Sequence, residues 1–230
     1  MTSMSRLLNQ YGKWSQEKDA KFLEMLDYDP GAKVVDLGCG EADFTLRVKQ
    51  TINCREIYGT DVWDNALKIA RNKGVKAEPM DLNEKLSFSD ASFNVVVSNQ
   101  VLEHLFFPSR FVQEVYRILG ENGYAVISTE NLGSWDNIAC LLFGYTPFSM
   151  QFDEQMKIGN PFSPHNKEKL EGYPPHVRIF TFQGLVDLFK FHGFKVERTS
   201  ASGYLPFNFL ADLDHRHARF ITVKVRKCEH

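Results

Sequence analysis

Over the first 130 residues, short apolar runs alternate with segments of helical spacing. Trp14–Tyr28 places Phe22, Leu23, Met25 and Leu26 among charges at the spacing of one helix face, and Asp29-Pro30-Gly31 ends it. Lys33–Leu37 is a β-branched run that stops at Gly38-Cys39-Gly40, after which Phe44, Leu46 and Val48 continue as a helix. The pattern recurs with Glu56–Thr60 as strand, Asn65–Lys73 as helix, Gly74–Met80 as strand and Phe93–Ser98 as a buried strand. Ser109–Leu119 gathers Phe111, Val112, Val115, Ile118 and Leu119 on one helix side, with Gly120 as its stop and Tyr124–Thr129 as the next strand. Such alternation predicts an α/β fold around a parallel sheet.

Periodicity fails from Asn131 to Pro175, where Gly and Pro are interleaved with Trp135, Phe143, Tyr145, Phe148, Phe152, Phe162 and Tyr173. Segments of this length without regular structure usually carry function, and the aromatics argue against disorder. Thr181–His192 then predicts a helix capped by Thr181 and stopped by Gly193, with strands Phe194–Arg198 and Phe220–Val225 closing the fold. We therefore expect one domain, in which 1–32 hold an N-terminal helix, 33–130 a ligand-binding half, 131–175 a lid insert and 176–230 the closing helix and strands.

Composition narrows the class. The chain has 230 residues, 43% hydrophobic and 24% charged, as expected of a folded globular protein. With 27 Lys and Arg against 29 Asp and Glu, no global basic field exists to gather nucleic acid, so no such partner is expected. Cys39, Cys54, Cys140 and Cys228 lie far apart without a C-x-x-C pair, which predicts reduced thiols in cytosol. No secretory apolar segment and no membrane span are apparent, so a soluble cytoplasmic protein is expected.

The chemistry concentrates in Val34–Phe44. Its glycines allow close backbone approach to a ligand where a strand gives way to a helix. A pyrophosphate would be repelled by Asp36, Glu41 and Asp43, whereas a ligand carrying a sulfonium and an ammonium, as S-adenosylmethionine does, suits them electrostatically. Asp61 ends the second strand, where a carboxylate can accept ribose hydroxyls and equally cap the helix that follows. Asp81-Leu82 follows the third strand and offers either an adenine contact or an Asx turn into Asn83. For Asp36, a turn-stabilising role and a direct effect on the ligand both remain open.

Together with Asn99-Gln100-Val101-Leu102-Glu103-His104-Leu105 after the fourth strand, these motifs resemble the class I S-adenosylmethionine-dependent methyltransferase family over roughly Lys33 to Arg198. The resemblance implies a doubly wound, mostly parallel seven-stranded sheet of Rossmann-like form with its last strand antiparallel. It implies S-adenosyl-L-methionine as cofactor across the C-terminal strand ends, held by Asp36, Gly38, Cys39, Gly40, Asp61, Val62, Asp81, Leu82, Asn99 and Gln100. Ala42 stands where the family often has a third glycine. Glu103-His104 would face the acceptor, which the later loops would bind.

Methyl transfer mainly requires alignment, and a base only for a weakly nucleophilic atom. His104 is the first candidate base and His176 the second, although each also fits a purely hydrogen-bonding role. Tyr145, Phe148 and Tyr173 are candidates for an acceptor pocket or for lid packing, Arg178 is placed to pair with an anionic acceptor, and His165, Lys167 and Lys169 read as a solvated face. No set of residues has metal-ligand spacing along the chain, so no metal is expected. The expected function is methylation of a small-molecule, sugar or lipid-linked acceptor. The competing readings are an RNA or protein methyltransferase, for which Ser98-Asn99-Gln100-Val101 lacks an Asn/Asp-Pro-Pro-Tyr signature, and a non-catalytic cofactor-binding regulatory module.

Overall fold

The computed structural model describes residues 3–151, 153, 155–163, 174–204 and 208–228. At its centre, β1 (Val34–Leu37) is buried along its whole length and pairs in parallel with β2 (Ile57–Asp61) and β4 (Phe93–Asn99), Asp36 lying opposite Gly59 on one side and Val97 on the other. Outside these run β3 (Lys76–Pro79), parallel to β2, and β5 (Leu119–Glu130), parallel to β4. β7 (Phe220–Lys227) is antiparallel both to β5 and to β6 (Phe194–Ser202), which gives one seven-stranded sheet in the order β3-β2-β1-β4-β5-β7-β6. The strand order reverses between β1 and β4, and that reversal opens a crevice at the C-terminal strand ends.

Both sheet faces are covered because the central strands are apolar on both sides. Val34, Val95 and Val97 pack with α1 (Ser3–Leu23), α2 (Asp43–Ile52) and α3 (Asp64–Asn72) through Phe22, Val48, Ile52 and Leu67. Val35, Leu37 and Val96 face α4 (Pro108–Ile118) and α6 (Phe182–Phe191) through Phe111, Val115, Leu185 and Phe189. As expected, Thr181 caps α6, its Oγ1 accepting from the Gly184 amide at 3.1 Å, and Gly193 turns the chain at φ +84°.

Three expectations need correction. The first helix begins upstream of Trp14–Tyr28, at Ser3, and ends at Leu23; Met25 and Leu26 stay buried in the turns that follow, while Tyr28 is exposed. Leu119 is already extended, at φ −76° and ψ 132°, and Gly120 sits inside β5 instead of stopping a helix. The region after Asn131 contains a helix, α5 (Trp135–Leu142), that apolar spacing missed because its inward face is polar: Asp136, Asn137 and Cys140 are buried, whereas Trp135, Leu141 and Leu142 are exposed. Among the described residues, no helix is long and apolar enough to cross a membrane.

Candidate active site

The turn after β1 is fixed from both sides. The amides of Gly38 and Cys39 both donate to the Thr60 carbonyl, at 2.8 and 2.9 Å, which ties the turn to β2. Gly38 has φ +88°, and a Cβ there would lie 2.4 Å from Cγ2 of Val101, so only glycine lets the turn close against the segment after β4. Ala42 adopts φ +70° immediately before α2, a left-handed conformation that costs a non-glycine residue roughly 1 kcal/mol.

The carboxylates around this turn have separate roles. Asp36 is buried and accepts from Thr45 Oγ1 at 2.6 Å; burial, aided by the charge of Asp61, pushes its carboxyl up to about 7. It braces β1 against α2, the turn-stabilising role. Asp61 is half-buried at the end of β2, with Oδ2 accepting from the Gly40 amide at 2.9 Å and Oδ1 from the Trp63 amide at 3.1 Å. It therefore binds the glycine turn and forms an Asx turn ahead of α3; it does not cap that helix, whose N-cap position is Trp63 with no side-chain cap bond. Asp43 turns outward to Lys73 at 2.6 Å and stands apart from this group.

Neighbouring strands extend the row. Asp81 is exposed after β3, its Oδ1 accepting from the Asn83 amide at 2.8 Å in an Asx turn, with Leu82 buried beneath it in the core. Val62 is exposed beside Asp61, whereas the Cys39 side chain is buried in the core below β2, where burial first of all pushes its thiol up to about 12 and its Sγ donates to the Gly40 carbonyl at 3.7 Å. On the other side of β1, Asn99 Oδ1 accepts from Ser128 Oγ at 2.6 Å, and its Nδ2 donates to Asp19 of α1 at 3.1 Å. Gln100 has φ +59° and donates its amide to the Ser128 carbonyl at 3.1 Å. The fold thus brings the cofactor candidates into one row across the C-terminal ends of β3, β2, β1 and β4. Asp19, Thr45, Val101 and Ser128 were not legible as members. The one available signal was the polar run Ser128–Asn131 that ends an otherwise apolar strand.

A second group lies beyond β4 and β5. Glu103 and His104 sit on a short 3-10 turn, Leu102–His104, and His176 arrives from the segment leading to α6. Glu103 is only 1% exposed, and burial pushes its carboxyl up to about 7. One carboxylate oxygen accepts from Thr129 Oγ1 at 2.8 Å, while its main-chain carbonyl accepts from the amides of Val177 and Arg178 at 2.8 and 3.0 Å. Nδ1 of His104 lies 3.1 Å from the Pro175 carbonyl, and Nδ1 of His176 lies 2.8 Å from the Ser149 carbonyl. A carbonyl can only accept, so both Nδ1 atoms carry hydrogen and both Nε2 atoms are left to act as bases or ligands. Burial holds His104 below the ordinary imidazole range, favouring its neutral form. The two rings meet edge to face at 4.8 Å.

A cavity of about 430 Å³ opens beside His176, lined by Leu132, Met150, Gln151, Pro175 and Val177 among others. Tyr145 instead meets Phe162 edge to face at 5.4 Å, and Phe148 lies under the Arg219 guanidinium at 5.5 Å, so neither lines this cavity. Arg178 is exposed. Tyr173, His165, Lys167 and Lys169 lie outside the described residues. Another cavity, about 620 Å³, adjoins Lys33 and Glu56 at the opposite, N-terminal ends of β1 and β2, away from this chemistry.

Comparison with known proteins agrees with this fold. Residues 35–127 match the family model described as a methyltransferase domain. A relative from Mycobacterium tuberculosis, named as a probable S-adenosylmethionine-dependent methyltransferase, is 36% identical over 102 residues, which span 43% of this chain and 35% of that protein. A relative of the same description from Mycolicibacterium smegmatis is 27% identical over 208 residues, 89% of this chain and 67% of its own. The crystal structure of a S-adenosylmethionine-dependent methyltransferase from Mesorhizobium loti superposes with a TM-score of 0.64 at 20% identity, covering 90% of this chain and 96% of that one. The fold is that of the Rossmann-like methyltransferases. Residues 35–127, less than half of the chain, are similar to a methyltransferase domain, and the relatives named as S-adenosylmethionine-dependent imply S-adenosyl-L-methionine as cofactor.

The residues present fit that cofactor. The turn at Gly38 leaves no room for a side chain, and Asp61 carries negative charge to the surface at a strand end where ribose hydroxyls can approach, while the buried Asp36 braces the turn from behind.

Proposed function

We propose that this protein is a methyltransferase in which Gly38, Gly40, Asp61, Asn99 and Gln100 hold S-adenosyl-L-methionine, and that its acceptor is a small molecule, a sugar or a lipid-linked precursor. The observation that carries this reading is the adjacency of two groups along the same sheet edge: the glycine turn with Asp61, and the buried Glu103 with the half-buried His104 and His176, the last of which lines a cavity of about 430 Å³. The bound cofactor supplies an electrophilic methyl group on a sulfonium. The chain's own part is to align and to exclude water.

In this reading Asp61 accepts from the ribose while keeping the Gly40 amide, and Asn99, held by Ser128 and Asp19, fixes the methionine side. His104, kept neutral by burial and oriented through Nδ1 by the Pro175 carbonyl, presents Nε2 to take a proton from the acceptor; His176 takes the supporting position. The described residues of the insert, 131–151 and 155–163, form the acceptor lid. The test is transfer of labelled methyl from S-adenosyl-L-methionine to a panel of hydroxylated small molecules, sugars and isoprenoid-linked acceptors. We expect turnover with at least one class, and a His104→Ala variant that binds the cofactor product normally but turns over at least a hundredfold more slowly. Transfer only to RNA or protein would overturn the acceptor assignment.

A further inference from the structure

We propose that Glu103, His104 and His176 form a binding site for a divalent transition metal, open on the cavity side to an oxygen ligand. One carboxylate oxygen and one ring nitrogen from each histidine all lie within 4.8 Å of one another. Bond lengths of about 2.0–2.2 Å put ligand atoms about 3.3 Å apart around a four-coordinate ion, so the shell closes with side-chain shifts of about 1 Å or less.

The surroundings are those of a built site. Each histidine gives its Nδ1 hydrogen to a main-chain carbonyl, Pro175 for His104 and Ser149 for His176, which fixes the tautomer that leaves Nε2 free. This is the outer-shell arrangement that orients metal-binding imidazoles. Glu103 is fixed in turn by Thr129, and its carbonyl takes the amides of Val177 and Arg178, so the strand-end turn and the segment carrying His176 are clamped together at the cluster. A buried carboxylate without a cation beside it is costly, and the Arg219 guanidinium approaches Glu130 at 3.6 Å and pairs with Asp136 instead. Glu130 also lies 3.8 Å from Nδ1 of His176, which adds negative charge on the protein side of the cluster.

Two imidazoles and one carboxylate form a donor set for zinc and its first-row neighbours, and three protein ligands leave positions open. Those positions adjoin the cavity at Pro175, His176 and Val177. An acceptor hydroxyl is the natural ligand there, an assignment that rests on the methyl-transfer reading; the metal site does not. With a metal bound, His104 Nε2 would serve as a ligand and no longer as the base, and the metal would acidify the hydroxyl in its place.

The experiment uses the full chain stripped with a chelator. Zinc is titrated by calorimetry, and cobalt by its visible absorption. We expect one equivalent to bind to the wild type, a loss of at least tenfold in affinity in His104→Gln and in His176→Gln, and unchanged affinity in His217→Ala, a histidine paired with Asp214 elsewhere. S-adenosylhomocysteine binding by the same variants verifies that they are folded. X-ray absorption on the zinc-loaded wild type needs no variant, and should show two imidazoles with oxygen in the remaining positions. No binding by the wild type, equal binding by the variants, or a shell with sulfur or fewer than two imidazoles would each overturn the proposal. Metal binding without S-adenosylhomocysteine binding would leave this site standing and remove the methyl-transfer reading; the converse would do the opposite.

Discussion

The sheet edge from β3 to β4 and the region from Asn131 to Ser163 are held together by different physics. In the first, buried valine, leucine and phenylalanine carry the packing and a few carboxylates decorate the strand ends. In the second, buried polar side chains make the joints: Asp136 with Arg219, Asn137 with Ser149 and the Asn131 carbonyl, and Asn160 with the Thr146 carbonyl, while Leu141, Leu142 and Phe143 face outward. Apolar packing is non-directional and tolerates approximate fits, whereas a buried polar joint fails when one partner is lost. The cofactor half should therefore respond to shape changes and the acceptor side to changes of single polar groups.

The largest expected effect breaks a polar joint. Asp136→Ala removes a partner from the buried Arg219 guanidinium and should destabilise the acceptor side by about 3–5 kcal/mol. Hydrogen exchange should show lost protection in amides 131–146, with S-adenosylhomocysteine affinity retained. If exchange rises equally in β1 and β2, the two regions do not differ as described.

A shape change in the cofactor half comes next. Gly38→Ala forces a left-handed alanine into contact with Val101 and should cost about 2–4 kcal/mol in chemical denaturation, as well as cofactor affinity. Adding Val101→Ala should restore part of that loss; additive effects in the double variant would show that the two side chains do not meet. Asp61→Ala should weaken S-adenosylhomocysteine binding by about 1–3 kcal/mol. Calorimetry on a folded variant with unaltered affinity would remove Asp61 from the site.

The smallest effect is one of pH. Asp36 is pushed up to about 7 in the folded chain from an ordinary 3.8, so the native state holds a proton that the unfolded chain releases between about pH 4 and 7. The stability this contributes is full below pH 4 and lost as pH rises through 7. Asp36→Asn, which never ionises, should thus gain on the wild type between pH 4 and 8 in denaturation midpoint. Parallel pH profiles for the two proteins would contradict the burial argument.

The same contrast decides what could be read from the chain. Strands such as Val34–Leu37 and Phe93–Asn99 were legible because their apolar runs suffice to specify them, and Gly38, Gly40 and Asp61 because a turn and a strand end keep their chemistry local. Helix Trp135–Leu142 was not, since its inward face is set by partners far away in sequence. Nor was the meeting of Glu103 and His104 with His176, which depends on the Glu103 carbonyl capturing the amides of Val177 and Arg178. Linear spacing holds no record of such a clamp.

In the proposed function the acidic glycine turn selects a phosphate-free, ammonium-bearing nucleoside over a pyrophosphate. Isothermal titration of S-adenosylhomocysteine and NAD in parallel against the purified protein tests it most directly. Saturable binding of S-adenosylhomocysteine at one site and no heat from NAD are expected. Binding of NAD alone, or of neither, would contradict it.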